Sequence, residues 1–165
     1  MSVYYLDASA LVKRYADESG SDWVRQITAP SSGHALLLAE VTLAEVAAAL
    51  AAKARMPQGL SIEQRDQVLS RFLQDCDEVF LLLALDRSVV DQAVELTQRH
   101  HLRGYDSIQL ATCLVARQPL EEELLPLPIF VASDHDLLAA ARTEGLVTCD
   151  PVNPEETETP GMLPQ

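Results

Sequence analysis

Short apolar runs alternate with helix-patterned stretches along nearly all of these 165 residues, and that alternation leaves few ways to fold. Val3–Leu6 is predicted to be a first strand that runs straight into Asp7. Helical patterns follow over Ser9–Asp17 and Ser21–Thr28, and His34–Leu38 is a candidate second strand. Thr42–Arg55 is helical by its alanine content, and Met56-Pro57-Gln58-Gly59 stops it. Ser61–Cys76 is an amphipathic helix opened by a Ser61-x-x-Gln64 capping box. Val79–Leu85 is predicted to be a buried strand, and Asp86–His101 a helix with Asp86 at its N-cap. A helix over Gly104–Arg117, an acidic, proline-bounded loop over Glu121–Leu127 and a strand over Ile129–Ala132 come next. Asp134–Glu144 is a further helix and Leu146–Cys149 a last strand. Strands separated by helices need crossover connections, so the sheet is mostly parallel. The fold class is α/β, a three-layer α/β/α sandwich.

No repeat or linker divides the chain, which suits one domain over residues 1–149. Asp150–Gln165 is acidic, rich in proline and poor in large apolar groups, and is expected to be a flexible tail. The apolar runs are too short to span a bilayer, and Met1–Leu6 lacks the pattern of a secretory signal. Cys76, Cys113 and Cys149 are odd in number and not in C-x-x-C spacing, as expected of buried, reduced thiols in a cytoplasmic protein. The net charge of −13 excludes a general nucleic-acid coat, because such binders carry basic surfaces. If this chain acts on RNA, the grip must be local, metal-mediated or completed by a partner.

In open parallel sheets, ligands bind beyond the carboxyl ends of the strands. Asp7 follows Val3–Leu6 at once, and Asp134 follows Ile129–Ala132 after one residue. Either could equally be a helix N-cap. Glu45 is the one charged residue of Leu43–Ala52, an otherwise apolar run, although Thr42-Leu43-Ala44-Glu45 also reads as a capping box. Asp106 opens Ile108–Val115, apolar except for Gln109 and Thr112, and again could be a cap. Capping uses Ser, Thr and Asn as readily, so four carboxylates in such positions exceed what caps require.

Carboxylates gathered in one crevice repel and raise one another's pKa unless something positive lies among them. His and Cys, the ligands that suit zinc, are missing from these positions, and oxygen-only ligation favours Mg²⁺ or Mn²⁺. The chemistry such a site supports is phosphodiester hydrolysis.

The run Tyr5-Leu6-Asp7-Ala8-Ser9-Ala10-Leu11-Val12-Lys13-Arg14-Tyr15, followed by Glu18-Ser19-Gly20-Ser21, resembles the opening of PIN-domain nucleases, and more narrowly of the VapC toxin ribonucleases. The similarity returns at Thr42-Leu43-Ala44-Glu45-Val46, at Leu102-Arg103-Gly104-Tyr105-Asp106-Ser107-Ile108-Gln109-Leu110-Ala111 and at Phe130-Val131-Ala132-Ser133-Asp134, and runs on to Gly145-Leu146. The blocks come in the family's order. The resemblance implies a parallel sheet between helices, and metal-site acids at Asp7, Glu45, Asp106 and Asp134 that use Mg²⁺ or Mn²⁺ to cleave RNA. Ser9 is implied as a water or substrate contact. A homodimer and inhibition by a small antitoxin, which inserts a basic side chain near the acids and binds DNA, are implied as well. The chain departs from the pattern at Ala132, where many relatives carry Thr or Ser, which leaves Asp136 as a rival to Asp134. As a helix N3 carboxylate, Asp136 is otherwise a dipole partner.

Lys13, Arg103 and His135 are candidate phosphate contacts, each with an ordinary solvated position as its alternative. Arg99-His100-His101-Leu102-Arg103 reads as a solvated helix end with cations at its C-terminus. Tyr15 and Trp23 suit either the core or a partner surface. Three rival functions remain. A haloacid-dehalogenase-type phosphatase also has Asp after its first strand, but needs a second Asp where this chain has Ser9. A catalytically weak PIN-like module that binds RNA or protein, or a housekeeping nuclease without an antitoxin, would share the fold.

Overall fold

The structure, a computed structural model, describes residues 1–157. Among them, five strands form one sheet: β1 (Val3–Leu6), β2 (Ala35–Ala39), β3 (Leu81–Leu83), β4 (Pro128–Val131) and β5 (Val147–Cys149). Their order is β3-β2-β1-β4-β5 and every pairing is parallel. The helices are α1 (Ala8–Tyr15), α2 (Ser21–Ile27), α3 (Val41–Arg55), α4 (Ile62–Glu78), α5 (Arg87–Arg99), α6 (Gly104–Glu122) and α7 (His135–Thr143). None of them is long and apolar enough to cross a membrane.

Side chains alternate across the pleat, so each central strand feeds two cores. Val3 and Tyr5 of β1 join Phe130, Leu110 and Leu137 on the face covered by α5, α6 and α7. Leu6 joins Leu36, Leu38, Val46, Leu50 and Phe72 on the face covered by α1 to α4. The three-layer sandwich follows from burying both faces of the sheet. The chain builds outward from β1 through β2 to β3, then returns across the sheet to place β4 on the other side of β1. That reversal opens a crevice at the carboxyl ends of β1 and β4.

Several boundaries depart from the sequence reading. Val79–Leu85 is not a buried strand: α4 runs to Glu78, and only Leu81–Leu83 pair, with Leu81 61% exposed. The strand lies at the sheet edge, with a neighbour on one side alone. The helix predicted to end at Arg117 continues through Pro119 to Glu122 and takes the first two residues of the expected loop. An Arg117–Glu121 ion pair of 3.2 Å and the Glu123 N–H bond of 3.1 Å to the Pro119 carbonyl hold this extra turn. The Ser61–Gln64 capping box and the Asp86 N-cap both form. The presumed flexible end starts with structure, since Pro151 is buried against Gly20 and a 3₁₀ turn covers Pro154–Glu156; residues 158–165 lie outside the described residues. The three cysteines are buried and free, and burial pushes the Cys76 thiol up to about 11, so they are inert packing groups.

Asp75 of α4 locks the α1 face. Fully buried, it accepts hydrogen bonds from Arg14 Nε at 3.0 Å and from the Tyr15 hydroxyl at 2.8 Å, while Arg71 Nε stands 3.0 Å from its other oxygen. Arg14 also donates to the Thr28 carbonyl and hydroxyl at 2.7 Å, which ties α1 to the end of α2. Tyr15 and Trp23 are half-buried and pack against the core on this face, with the Trp23 ring edge-on to Tyr4. Removing one partner of a buried ion pair strands the other without water. Asp75→Ala is therefore expected to lower the unfolding free energy by about 3–5 kcal/mol in urea denaturation, and a loss below about 0.5 kcal/mol, typical of a surface change, would contradict the lock.

Candidate active site

Asp7 leaves the end of β1, its N–H bonded to the Val131 carbonyl of β4 at 3.0 Å, and becomes the N-cap of α1. Its Oδ2 accepts from the Ser9 N–H at 3.0 Å and from the Ser9 hydroxyl at 2.5 Å. Ser9 Oγ in turn accepts the N–H of Ser133 at 2.9 Å, so one hydroxyl ties the first acid to the loop after β4. Capping and site roles thus coincide in Asp7. The residue is only 6% exposed. Burial raises its pKa, the Ser9 bonds pull it back, and the charge of Asp106 raises it again.

Glu45 lies in the second turn of α3, half-buried. The Thr42–Glu45 capping box does not form: α3 begins at Val41, and its first turn carries no side-chain cap. Both side chains instead meet Gln109 of α6, whose Nε2 donates to Glu45 Oε2 at 2.6 Å and to Thr42 Oγ1 at 2.8 Å. Burial raises the Glu45 pKa, the Gln109 bond lowers it, and the charges of Asp7 and Asp106 raise it further. Asp106, in the first turn of α6, accepts the Arg103 N–H at 3.1 Å through Oδ2.

Asp7, Glu45 and Asp106 thus share one electrostatic neighbourhood. Asp134 stands at the rim, exposed, and its Oδ1 caps α7 by accepting from Asp136 N–H at 2.9 Å and Leu137 N–H at 3.0 Å. Asp136 is the second helical residue of α7, one place earlier than expected, and is exposed. Among the described residues no group of three or more His, Cys, Asp or Glu is placed to hold a metal ion as it stands. Each acid is tied to a donor of its own chain. The donor set is nevertheless oxygen-only, and burial raises the pKa of Asp7 and Glu45, with the charges of neighbouring acids raising both further. A hard divalent cation fits that chemistry.

Arg103 is the exposed N-cap of α6 and His135 the exposed first residue of α7, both beside an acid of the set. Lys13 is neither a free cation nor solvated: it is 6% exposed and lies 3.3 Å from Glu18, which also binds Lys53. Burial alone would raise the Glu18 pKa, but the two ammonium groups hold it below the usual range. The helix end at Arg99–His100 is not simply solvated either, because Arg99 and His100 both pair with Glu144, at 3.1 and 2.6 Å. The sequence reading missed Gln109, Thr42 and Tyr5 as site residues. Its one available signal was Gln109 as a polar interruption of the apolar run in α6.

The PIN domain model matches residues 4–143. The chain is 33% identical over 119 residues to Ribonuclease VapC45 of Mycobacterium tuberculosis (strain CDC 1551 / Oshkosh), covering 72% of this chain and 80% of that one. The crystal structure of Mycobacterium tuberculosis VapC20, a Sarcin-Ricin loop cleaving toxin, superposes with a TM-score of 0.57 at 15% identity, covering 84% of this chain and 95% of the other. FitAB bound to IR36 DNA fragment superposes with a TM-score of 0.58 at 14% identity, covering 91% and 95%. Those two likenesses are of fold.

The raised acids have a consequence for stability. A carboxyl whose folded pKa exceeds its unfolded one adds stability that is complete below the unfolded pKa and is lost as pH rises through the folded pKa. Asp7 and Glu45 therefore weaken the metal-free protein as pH climbs out of the carboxylate range. Asp7→Asn, which keeps the N-cap, is expected to melt above the wild type at pH 7 in EDTA. The gain is about 2–4 °C for each kcal/mol relieved and shrinks toward about pH 4. A lower melting temperature for Asp7→Asn at pH 7 would contradict it.

Proposed function

The chain belongs to the PIN-domain family and is VapC-like, and from that premise we propose that it is a metal-dependent endoribonuclease, the toxin of a toxin–antitoxin pair. What supports this reading is the electrostatic coupling of Asp7 and Glu45 to Asp106, with burial raising the pKa of Asp7 and of Glu45. Asp7, Glu45, Asp106 and Asp134 would hold Mg²⁺ or Mn²⁺. A bound divalent ion supplies a more acidic water and neutralises charge on the phosphate and the leaving oxygen. Asp7 is held in place by Ser9, which also pins the loop that carries Asp134. Glu45, with Oε2 occupied by Gln109, has Oε1 left for the ion, and the proton of the attacking water would pass to solvent. The oxygen of that water bonds to phosphorus as the phosphorus–oxygen bond of the leaving ribose breaks.

The net charge of −13 shapes how RNA is held. Lys13 and Lys53 are already committed to Glu18. Phosphate contact falls instead to the site itself and to the exposed Arg103 and His135 at its rim. An acidic, cation-seeking crevice also suits inhibition by a small antitoxin that inserts a basic side chain, and a homodimer accompanies this reading, as in the family the chain resembles.

Cleavage of a structured RNA is expected with Mn²⁺ or Mg²⁺ and to cease in EDTA. Asp7→Asn and Asp106→Asn are each expected to lose more than the about 10–100-fold that removal of a residue behind the ligands costs. Equal activity in the wild type and both variants would overturn the nuclease reading. Titration calorimetry without Mn²⁺ or Mg²⁺ binding would favour a binding module. The toxin role predicts growth arrest on expression, relieved by a small neighbouring open reading frame; growth arrest that no such reading frame relieves points to a housekeeping nuclease.

A further inference from the structure

Gln109 is fully buried on the second turn of α6, one turn after Asp106, and each face of its carboxamide has a partner. Nε2 donates to Glu45 Oε2 at 2.6 Å and to Thr42 Oγ1 at 2.8 Å, and Oε1 accepts the Tyr5 hydroxyl at 2.7 Å. These partners come from α3 and from the central strand β1, far away in sequence. The amide has one workable orientation. A carboxylate only accepts, so the NH₂ end must face Glu45, and the oxygen is left for Tyr5. Tyr5 is itself fully buried, stacked on Phe130 with ring centroids 5.4 Å apart, so its hydroxyl cannot wander.

We propose that Gln109 is a positioning residue of the active site, which holds the Glu45 carboxylate in its working rotamer, with Tyr5 fixing the Gln109 amide from behind. The inference rests on the nuclease reading of the same site. A methionine of similar volume would fill this space with no polar atoms to satisfy. The carboxamide contributes direction, because it is the hydrogen-bond donor aimed at the one acid of the set that sits on a helix side rather than at a strand or helix end. Asp7 has Ser9 for this purpose and Asp106 has the Arg103 N–H. Glu45, with the longest side chain of the set and the most rotamer freedom to lose, needs such a fixture most. Groups that orient ligands from behind typically change metal affinity or activity by about 10–100-fold when removed.

The test uses the full chain and reads Mn²⁺ affinity by electron paramagnetic resonance of free Mn²⁺, alongside RNA cleavage, at a temperature where every variant is folded. Gln109→Met is expected to weaken Mn²⁺ binding by about tenfold or more, with cleavage falling in parallel. Tyr5→Phe, which removes one hydroxyl that touches no acid, is expected to shift both in the same direction by less. A purely structural role is separated by a double-mutant cycle. In a Glu45→Gln background, where Gln109 has no carboxylate to hold, Gln109→Met should change Mn²⁺ affinity no further. Equal Mn²⁺ affinity in the wild type, Gln109→Met and Tyr5→Phe would overturn the proposal, as would an equal loss with and without Glu45. If Gln109→Met does not fold, Tyr5→Phe alone decides. Failure of the nuclease reading looks different, because the wild type itself then neither binds Mn²⁺ nor cleaves RNA.

Discussion

A carboxylate at the end of a buried central strand cannot be solvated as it would be on a surface, and the rest of the site is organised around that fact. Asp7 follows β1, which is hydrogen-bonded on both sides, and only 6% of the residue reaches solvent. Its charge is costly there, and two donations from Ser9 offset part of the cost. Because Ser9 also accepts from Ser133, the same hydroxyl sets the distance between the first acid and the loop that carries Asp134. Burial that packs the fold around β1 therefore also raises the pKa of the first acid.

The two layers of helices do different work around this constraint. On the α1 to α4 side, three cations are absorbed internally, Arg14 by Asp75 and both Lys13 and Lys53 by Glu18. These contacts clamp α1 to α3 and α4 and so hold the helix that Asp7 caps. On the α5 to α7 side, the chain returns to place Asp106 at the start of α6 and Asp134 at the start of α7. Little positive charge is left over near the crevice, and what is exposed there, Arg103 and His135, borders an acid.

Gln109 links the two layers through the sheet. It lies in α6, reaches Tyr5 on β1 and Glu45 on α3, and turns a buried polar residue into a brace between elements that meet only in the fold. Buried polar groups are tolerated when every atom is satisfied. Here that satisfaction has a direction, because the last partner in the chain is the Glu45 carboxylate.

The sequence by itself determined the order of strands and helices and put acids at their junctions, because strand alternation, helix period, capping boxes and proline stops all act within a few residues. The capping box at Ser61 and the N-cap at Asp86 formed for that reason. The box at Thr42 did not, since α3 begins at Val41 and Thr42 is already inside the helix, where its hydroxyl accepts from Gln109, 67 residues away. Edge placement shortened β3 and exposed Leu81, and the pair to Glu18 took Lys13 from the solvent. Only the tertiary structure decided that β4 lies beside β1, that Ser9 reaches Ser133 across 124 residues and that Glu45 faces Gln109 across 64. Those choices depend on which apolar faces are buried against one another, and no local pattern carries that information.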